Sequence, residues 1–200
     1  RVRSAGVYFT ATSSRGRKFF GAKVIPNRGA WLEFETESDG YIGVKIDRHR
    51  KVAVTALLRI FGLIDNDLIR KKFEKLDAGS LKFIEATLKK DSAKTPSESY
   101  VEIYKRLRPG DLATPENAKS LIDAMFQRLD RYSLSAVGRF KLNQRLEIKN
   151  KNTFLLDIED LILIVKEIFR LNNDASAEPT DINHLGNRRV KAVGELIQDR

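Results

Sequence analysis

The sequence predicts an α+β fold, a small antiparallel β-sheet followed by several packed helices. Three observations predict it. In the first quarter of the chain apolar and polar residues alternate, and turn residues separate the alternating runs. From about Val52 the apolar spacing changes to three and four, the period of an amphipathic helix. Beyond that point Thr-Pro and Asp residues stand where helices start. With 200 residues, 42% hydrophobic and 32% charged, the chain is long and apolar enough to bury a core.

Val7-Tyr8-Phe9-Thr10 reads as a short strand, and Ser13-Ser14-Arg15-Gly16 as the turn after it. Phe20 to Pro26 is the next strand, closed by the turn Asn27-Arg28-Gly29. Leu32 and Phe34 then alternate with Glu33 and Glu35, which places one face in the core and one in water. Ser38-Asp39-Gly40 signals a hairpin, after which Ile42, Val44 and Ile46 point inward.

The helical part opens with Val54, Leu57, Leu58 and Phe61 on one stripe, ended by Gly62. Leu68, Ile69, Phe73 and Leu76 form a second stripe with Asp65 or Asn66 as its cap, and Ser80 to Lys90 a third short helix. Thr95-Pro96-Ser97-Glu98 is a capping box that opens a helix carrying Tyr100, Ile103, Tyr104 and Leu107. Pro109-Gly110 stops it, and Thr114-Pro115-Glu116 starts another, through Phe126. Asp157 caps a helix from Ile158 to about Leu171, where Glu159 and Asp160 sit in the first turn and favour the macrodipole. Asn172 to Thr180 reads as a polar loop, and about Asn187 to Gln198 as helical.

The net charge of +10 attracts polyanions. Its less balanced clusters are Arg15-Arg17-Lys18, Arg48-His49-Arg50-Lys51, Arg106 with Arg108, and Arg188-Arg189-Lys191. They are expected at turns and element ends, within reach of a nucleic-acid backbone. Catalytic signatures are missing from the sequence: no phosphate-binding loop, dinucleotide fingerprint, metalloprotease histidine pair or Gly-x-Ser-x-Gly elbow. No cysteine is present, which removes disulfide scaffolds and thiolate zinc sites and fits a reducing compartment. No apolar run approaches the roughly 20 residues that cross a bilayer, and the N-terminus does not read as a signal peptide. A soluble, cytoplasmic protein without a membrane partner is expected.

Six stretches, in order, resemble one family. Arg3-Ser4-Ala5-Gly6-Val7-Tyr8-Phe9 is similar to the arginine-serine-proline-glycine-valine-aromatic-aromatic segment of bacterial RNA polymerase beta subunits. Ala22 to Phe34, Val44 to Lys51, Glu102 to Asp111, Arg131 to Asn143 and Asp181 to Glu195 are similar to later blocks. The resemblance implies a lobe domain over residues 1–180, with its sheet in 1–51 and helices in 52–180, and the start of the fork region over 181–200. The parent would be a DNA-directed RNA polymerase, a nucleotidyltransferase using Mg2+, in which this piece is not itself catalytic and holds no cofactor. The start at Arg1 agrees with an excised fragment, and the short stretch from Gly62 to Leu81 lacks the insertions that some members carry.

Implied partners are downstream duplex DNA, the non-template strand, the alpha, beta prime, omega and sigma subunits, and transcription factors, in the nucleoid region of the cytoplasm. The family's DNA-binding positions match Arg3, Trp31, Asp47, Arg48, Arg108, Ile182, Asn183 and Arg188. The resemblance implies that Trp31 stacks on an unpaired base, worth about 1–3 kcal/mol, with arginines around it. Asn183 stands where the family has an aspartate that accepts hydrogen bonds from guanine, so guanine preference is expected to weaken. Ala5 replaces the family's proline, a milder change.

On position alone Trp31 reads as a core or rim tryptophan, and Arg108 as a cation at a helix C-terminus. His184 is expected to be hydrogen-bonded in the core and His49 to lie at the surface. Two other functions stay open: a docking module for proteins, which an exposed apolar patch would favour, and an independent basic DNA-binding protein.

Overall fold

A computed structural model describes residues 1–77, 79 and 82–198. Strand β1 is Val2–Arg3, β2 Gly6–Ser14, β3 Arg17–Ile25, β4 Leu32–Thr36, β5 Ile42–Ile46 and β6 Val52–Ala53. Strands β2 to β6 pair in sequence order as an antiparallel meander. The helices are α1 Val54–Phe61, α2 Asn66–Phe73, α3 Phe83–Lys90, α4 Pro96–Leu107, α5 Pro115–Gln127, α6 Ser135–Leu146, α7 Ile158–Asn172 and α8 Val193–Gln198. The architecture is α+β, as the alternation of periods predicts. No described helix is long and apolar enough to cross a membrane.

Strands β2 and β3 stay in register from Gly6↔Ile25 to Ser14↔Arg17, so only Arg15 and Gly16 remain to turn. Both have positive φ, 51° and 77°, the backbone of a type I′ hairpin. Ser13 and Ser14 therefore belong to the strand, not to the turn that their polarity suggests. The next strand likewise begins at Arg17, so part of this basic cluster lies within the ladder rather than beyond it. The ladder between β3 and β4 is short, Ala22 to Val24. Beside it a Cβ on Gly21 would fall 2.1 Å from the Phe34 carbonyl oxygen, so only glycine lets β4 come this close. Beyond the ladder the Phe20 N–H donates to Asn172 Oδ1 (2.8 Å), and the Thr36 hydroxyl donates to the Phe20 carbonyl (2.7 Å).

The helices lie where their apolar faces meet the sheet: α6 on β2, α7 on β3, and α1 and α3 on β5. Phe169 of α7 stacks on Phe83 (5.0 Å between centroids) and lies against Phe73 (5.4 Å). The caps follow the sequence: Asp65 accepts from Leu68 N, Thr95 from Glu98 N, Thr114 from Asn117 N and Asp157 from Asp160 N. Glu98, however, accepts from Lys94 N rather than from Thr95, one residue earlier than a capping box requires.

Some expectations are corrected. Val52–Ala53 is the last strand of the meander, because Gly43 and Val44 offer it an edge before α1 begins. The third helix starts at Phe83, and the expected start at Ser80 and Leu81 lies outside the described residues. Asn187 to Gln198 is helical only from Val193. Leu185–Asn187 is a turn of 3-10 helix and Arg188–Arg189 a strand, β7, that pairs with β1. A strand partner from the other end of the chain overrides local helix propensity here. Helix α6 has no counterpart in the sequence reading, since its first turn lacks a capping residue and Gly138 interrupts it.

Two arginine–aspartate pairs lie inside. Arg139 of α6 grips Asp160 of α7 with two bonds (2.9 and 2.8 Å) and also donates to the carbonyls of Thr153 and Leu155. Asp160 thus does more than favour a helix dipole. Arg59 of α1 donates to Asp91 (2.6 Å) and Asn66 (2.7 Å), and the Thr55 hydroxyl also donates to Asp91.

Candidate nucleic-acid interface

Strand pairing places Leu32 opposite Ile46, so the residue before β4 meets the residue after β5. Those residues are Trp31 and Asp47, and the Asp47 N–H donates to the Trp31 carbonyl at 2.8 Å. The chain then reverses: His49 N donates to the Ile46 carbonyl (3.1 Å), while Asp47 and Arg48 both have positive φ, 52° and 67°. Type I′ turns favour Asn-Gly at these positions. An arginine here is strained, and such strain concentrates at sites with a function. The turn puts the Arg48 guanidinium 5.8 Å from the centre of the Trp31 ring, within cation–π range. Trp31 is half-buried, and Asp47, Arg48, His49 and Arg50 are exposed.

The segment before Trp31 is fixed from behind. Asn27 and Arg28 donate to the Ser133 carbonyl, and Ser133 N donates back to Arg28. Gly29, at φ 118°, leaves room for the Tyr132 ring, which a Cβ would approach to 2.7 Å. The indole therefore stands on an anchored loop, as a rim residue.

A second group gathers at the β1–β7 ribbon, where Arg3 lies directly opposite Arg188. Like charges opposite one another across a strand pair repel, and an anion between them would relieve that repulsion. Asn187 ties the ribbon to the loop before it, its carbonyl accepting from Ser4 N (2.9 Å) and its amide donating to the Asp181 carbonyl (2.7 Å). In that loop Ile182 is half-buried and Asn183 exposed, with the Asn183 N–H bonded to the Asp181 carboxylate at 2.9 Å. The Asn183 side chain makes no hydrogen bond among the described residues. Tyr8 lies beneath, its hydroxyl donating to the Ser4 carbonyl (2.6 Å). Burial raises its pKa and the nearby Arg3 charge opposes the rise.

Arg108 stands apart. It is the exposed C-cap of α4, its N–H donating to the Tyr104 carbonyl at 2.8 Å. No hydrogen bond, ion pair or ring contact among the described residues joins it to either group. The structure thus brings Trp31, Asp47 and Arg48 together, and Arg3 with Arg188 near Ile182 and Asn183.

His184 is exposed, not in the core; its Nδ1 accepts from Gly186 N (3.1 Å) and caps the 3-10 turn. A three-residue turn on the surface offers no apolar cover for an imidazole. Lys141, which the sequence reading passed over, donates to the Gly186 carbonyl (2.6 Å), and burial lowers its pKa. It fixes the turn ahead of Arg188 to α6. Recognising α6 as a helix was the signal that would have drawn attention to it.

Three relatives, each called DNA-directed RNA polymerase subunit beta, match the whole chain. They come from Dehalococcoides mccartyi (41% identical over 206 residues), Chloroflexus aggregans (40% over 231) and a Synechocystis strain (39% over 201). The chain spans only 16, 19 and 18% of their respective lengths. With residues 3–191 matching its pattern, the chain belongs to the family RNA polymerase Rpb2, domain 2.

Proposed function

We propose that this chain is the lobe of an RNA polymerase beta subunit and holds DNA, above all unpaired non-template DNA, without altering it chemically. The observation that carries the reading is the strained turn that sets Arg48 against the half-buried indole of Trp31. An indole accepts any unpaired base by stacking, and a guanidinium beside it reaches phosphate or a base edge. Arg3 and Arg188 supply a second anion-attracting pair, and Arg108 would meet the backbone separately. Downstream duplex would be held by phosphate contacts alone, with affinity that falls steeply as salt rises. Residues 1–180 would be the lobe and 181–200 the start of the fork, residues 199 and 200 lying outside the described part.

The relatives' name implies a DNA-directed nucleotidyltransferase as the parent; the partners expected from the sequence, the alpha, beta prime, omega and sigma subunits, would complete it. Such an enzyme uses Mg2+, but no three acidic or histidine side chains among the described residues converge to hold a metal. These residues do not fit a magnesium site, and the lobe's part would be grip and position.

The test uses the intact polymerase carrying this chain, with forked DNA that has an unpaired non-template strand and with plain duplex. Trp31→Ala should weaken forked-DNA binding by about 1–3 kcal/mol and spare the duplex. Equal loss on both would remove the stacking role. In the same assay Asn183→Asp should raise the preference for guanine at one non-template position, because a carboxylate accepts from guanine's N–H donors more strongly than an amide carbonyl does.

A further inference from the structure

A cleft of about 940 Å³ opens between the tip of the β2–β3 hairpin, the end of α2 and the last turn of α7. Arg17, Lys18, Lys75 and Arg170 line it, and Asp174 is the one acid among its described lining residues. Lys18 is paired with Glu178 (3.3 Å), and Arg170 with Glu167 (2.6 Å). Arg17 and Lys75 have no carboxylate within ion-pair distance among the described residues. Arg17 is held with its guanidinium 5.4 Å from the Phe19 ring centre, at the tip of the projecting hairpin. Between these charges Leu76 is half-buried and offers an apolar contact, while Phe20 and Leu171 lie almost wholly covered beneath and Asn172 and Asn173 join the lining.

We propose that this cleft receives an acidic peptide segment of a partner protein, whose carboxylates meet Arg17 and Lys75 while an apolar side chain enters against Leu76. Charge complementarity selects an anionic occupant. The half-buried Leu76 favours a peptide, which has an apolar side chain to set against it, over a nucleic-acid backbone, which presents phosphates and sugars. Lys18 and Arg170 strengthen the field, and the exposed Lys18–Glu178 pair opens at little cost. None of the residues around Trp31 or in the β1–β7 ribbon takes part, so the strand-holding reading and this one can fail separately.

The experiment uses the intact polymerase and a fluorescent synthetic peptide of alternating Glu and Leu. Controls are the same peptide with Lys in place of Glu, and one with Ser in place of Leu. Both side chains to be changed are exposed, so Arg17→Glu combined with Lys75→Glu should leave the fold intact. The Glu-Leu peptide should bind more tightly than either control, and the double variant should weaken it by roughly tenfold or more. Forked-DNA binding should stay unchanged in that variant. Three results would overturn the proposal: no binding, binding that the double variant leaves unaltered, or equal binding of the leucine-free control. Competition by short duplex DNA, with loss of DNA binding in the variant, would also overturn it and make the cleft a DNA contact.

Discussion

Arg139 lies inside the molecule and Arg48 on a projecting turn, and the two regions use one side chain in different ways. Arg139 is 3% exposed and its partner Asp160 fully buried, so each other's charge and a few fixed protein groups, the Thr153 and Leu155 carbonyls and Lys151, stand in for water. Arg48 stays in water, has no carboxylate partner among the described residues, and rests against an aromatic face. The internal pairs cancel, so the net charge of +10 is carried by the surface. The net charge therefore describes the surface field, whereas a count of arginines overstates the binding capacity by those committed to the fold, Arg59 and Arg139.

The contrast can be broken first at the interior. Asp160→Ala leaves the Arg139 guanidinium buried beside an empty place, and should destabilise the chain by about 3–5 kcal/mol in urea denaturation. A loss below about 1 kcal/mol would put the pair in the class of surface bridges and erase the distinction.

Arg48→Gly sharpens the comparison from the other side. It relieves a positive φ of 67° and should stabilise the fold by about 1 kcal/mol, the strain released less the extra freedom of glycine in the unfolded chain. The same change should weaken binding to forked DNA. A variant that is both less stable and fully competent would show that the turn serves the fold alone.

The smallest effect concerns pH. Burial pushes the Glu167 carboxyl up, but hydrogen bonds from Arg170 and Arg145 outweigh it and hold its pKa below the ordinary 4.5. A carboxylate with a depressed folded pKa contributes stability above its unfolded value, and the contribution is lost as pH falls through the folded value. Glu167→Gln should therefore flatten the loss of stability below about pH 4.5 and leave the slope near neutrality unchanged. An identical acid limb in thermal melts of both proteins would assign the effect to other groups.

The meander was legible because its signals are local: alternation at Leu32 to Glu35, and turn residues at Arg15-Gly16 and Asp39-Gly40. Helix starts were legible for the same reason, through Asp65, Thr95, Thr114 and Asp157. What escaped depends on distant partners. Arg188–Arg189 is a strand only because Val2–Arg3 lies alongside, and α6 is held by Arg139 reaching α7 rather than by a cap. At the candidate site the residue types were readable, and the closeness of Trp31 to Arg48 follows from strand register. That Arg3 faces Arg188 across the length of the chain could not be read from spacing.

Arg139 has one more consequence. By holding the carbonyls of Thr153 and Leu155 as well as Asp160, a single guanidinium pins the irregular stretch between α6 and α7 at several points. That stretch has the look of a floppy connector, yet it should resist trypsin and keep slow amide exchange until the whole domain opens.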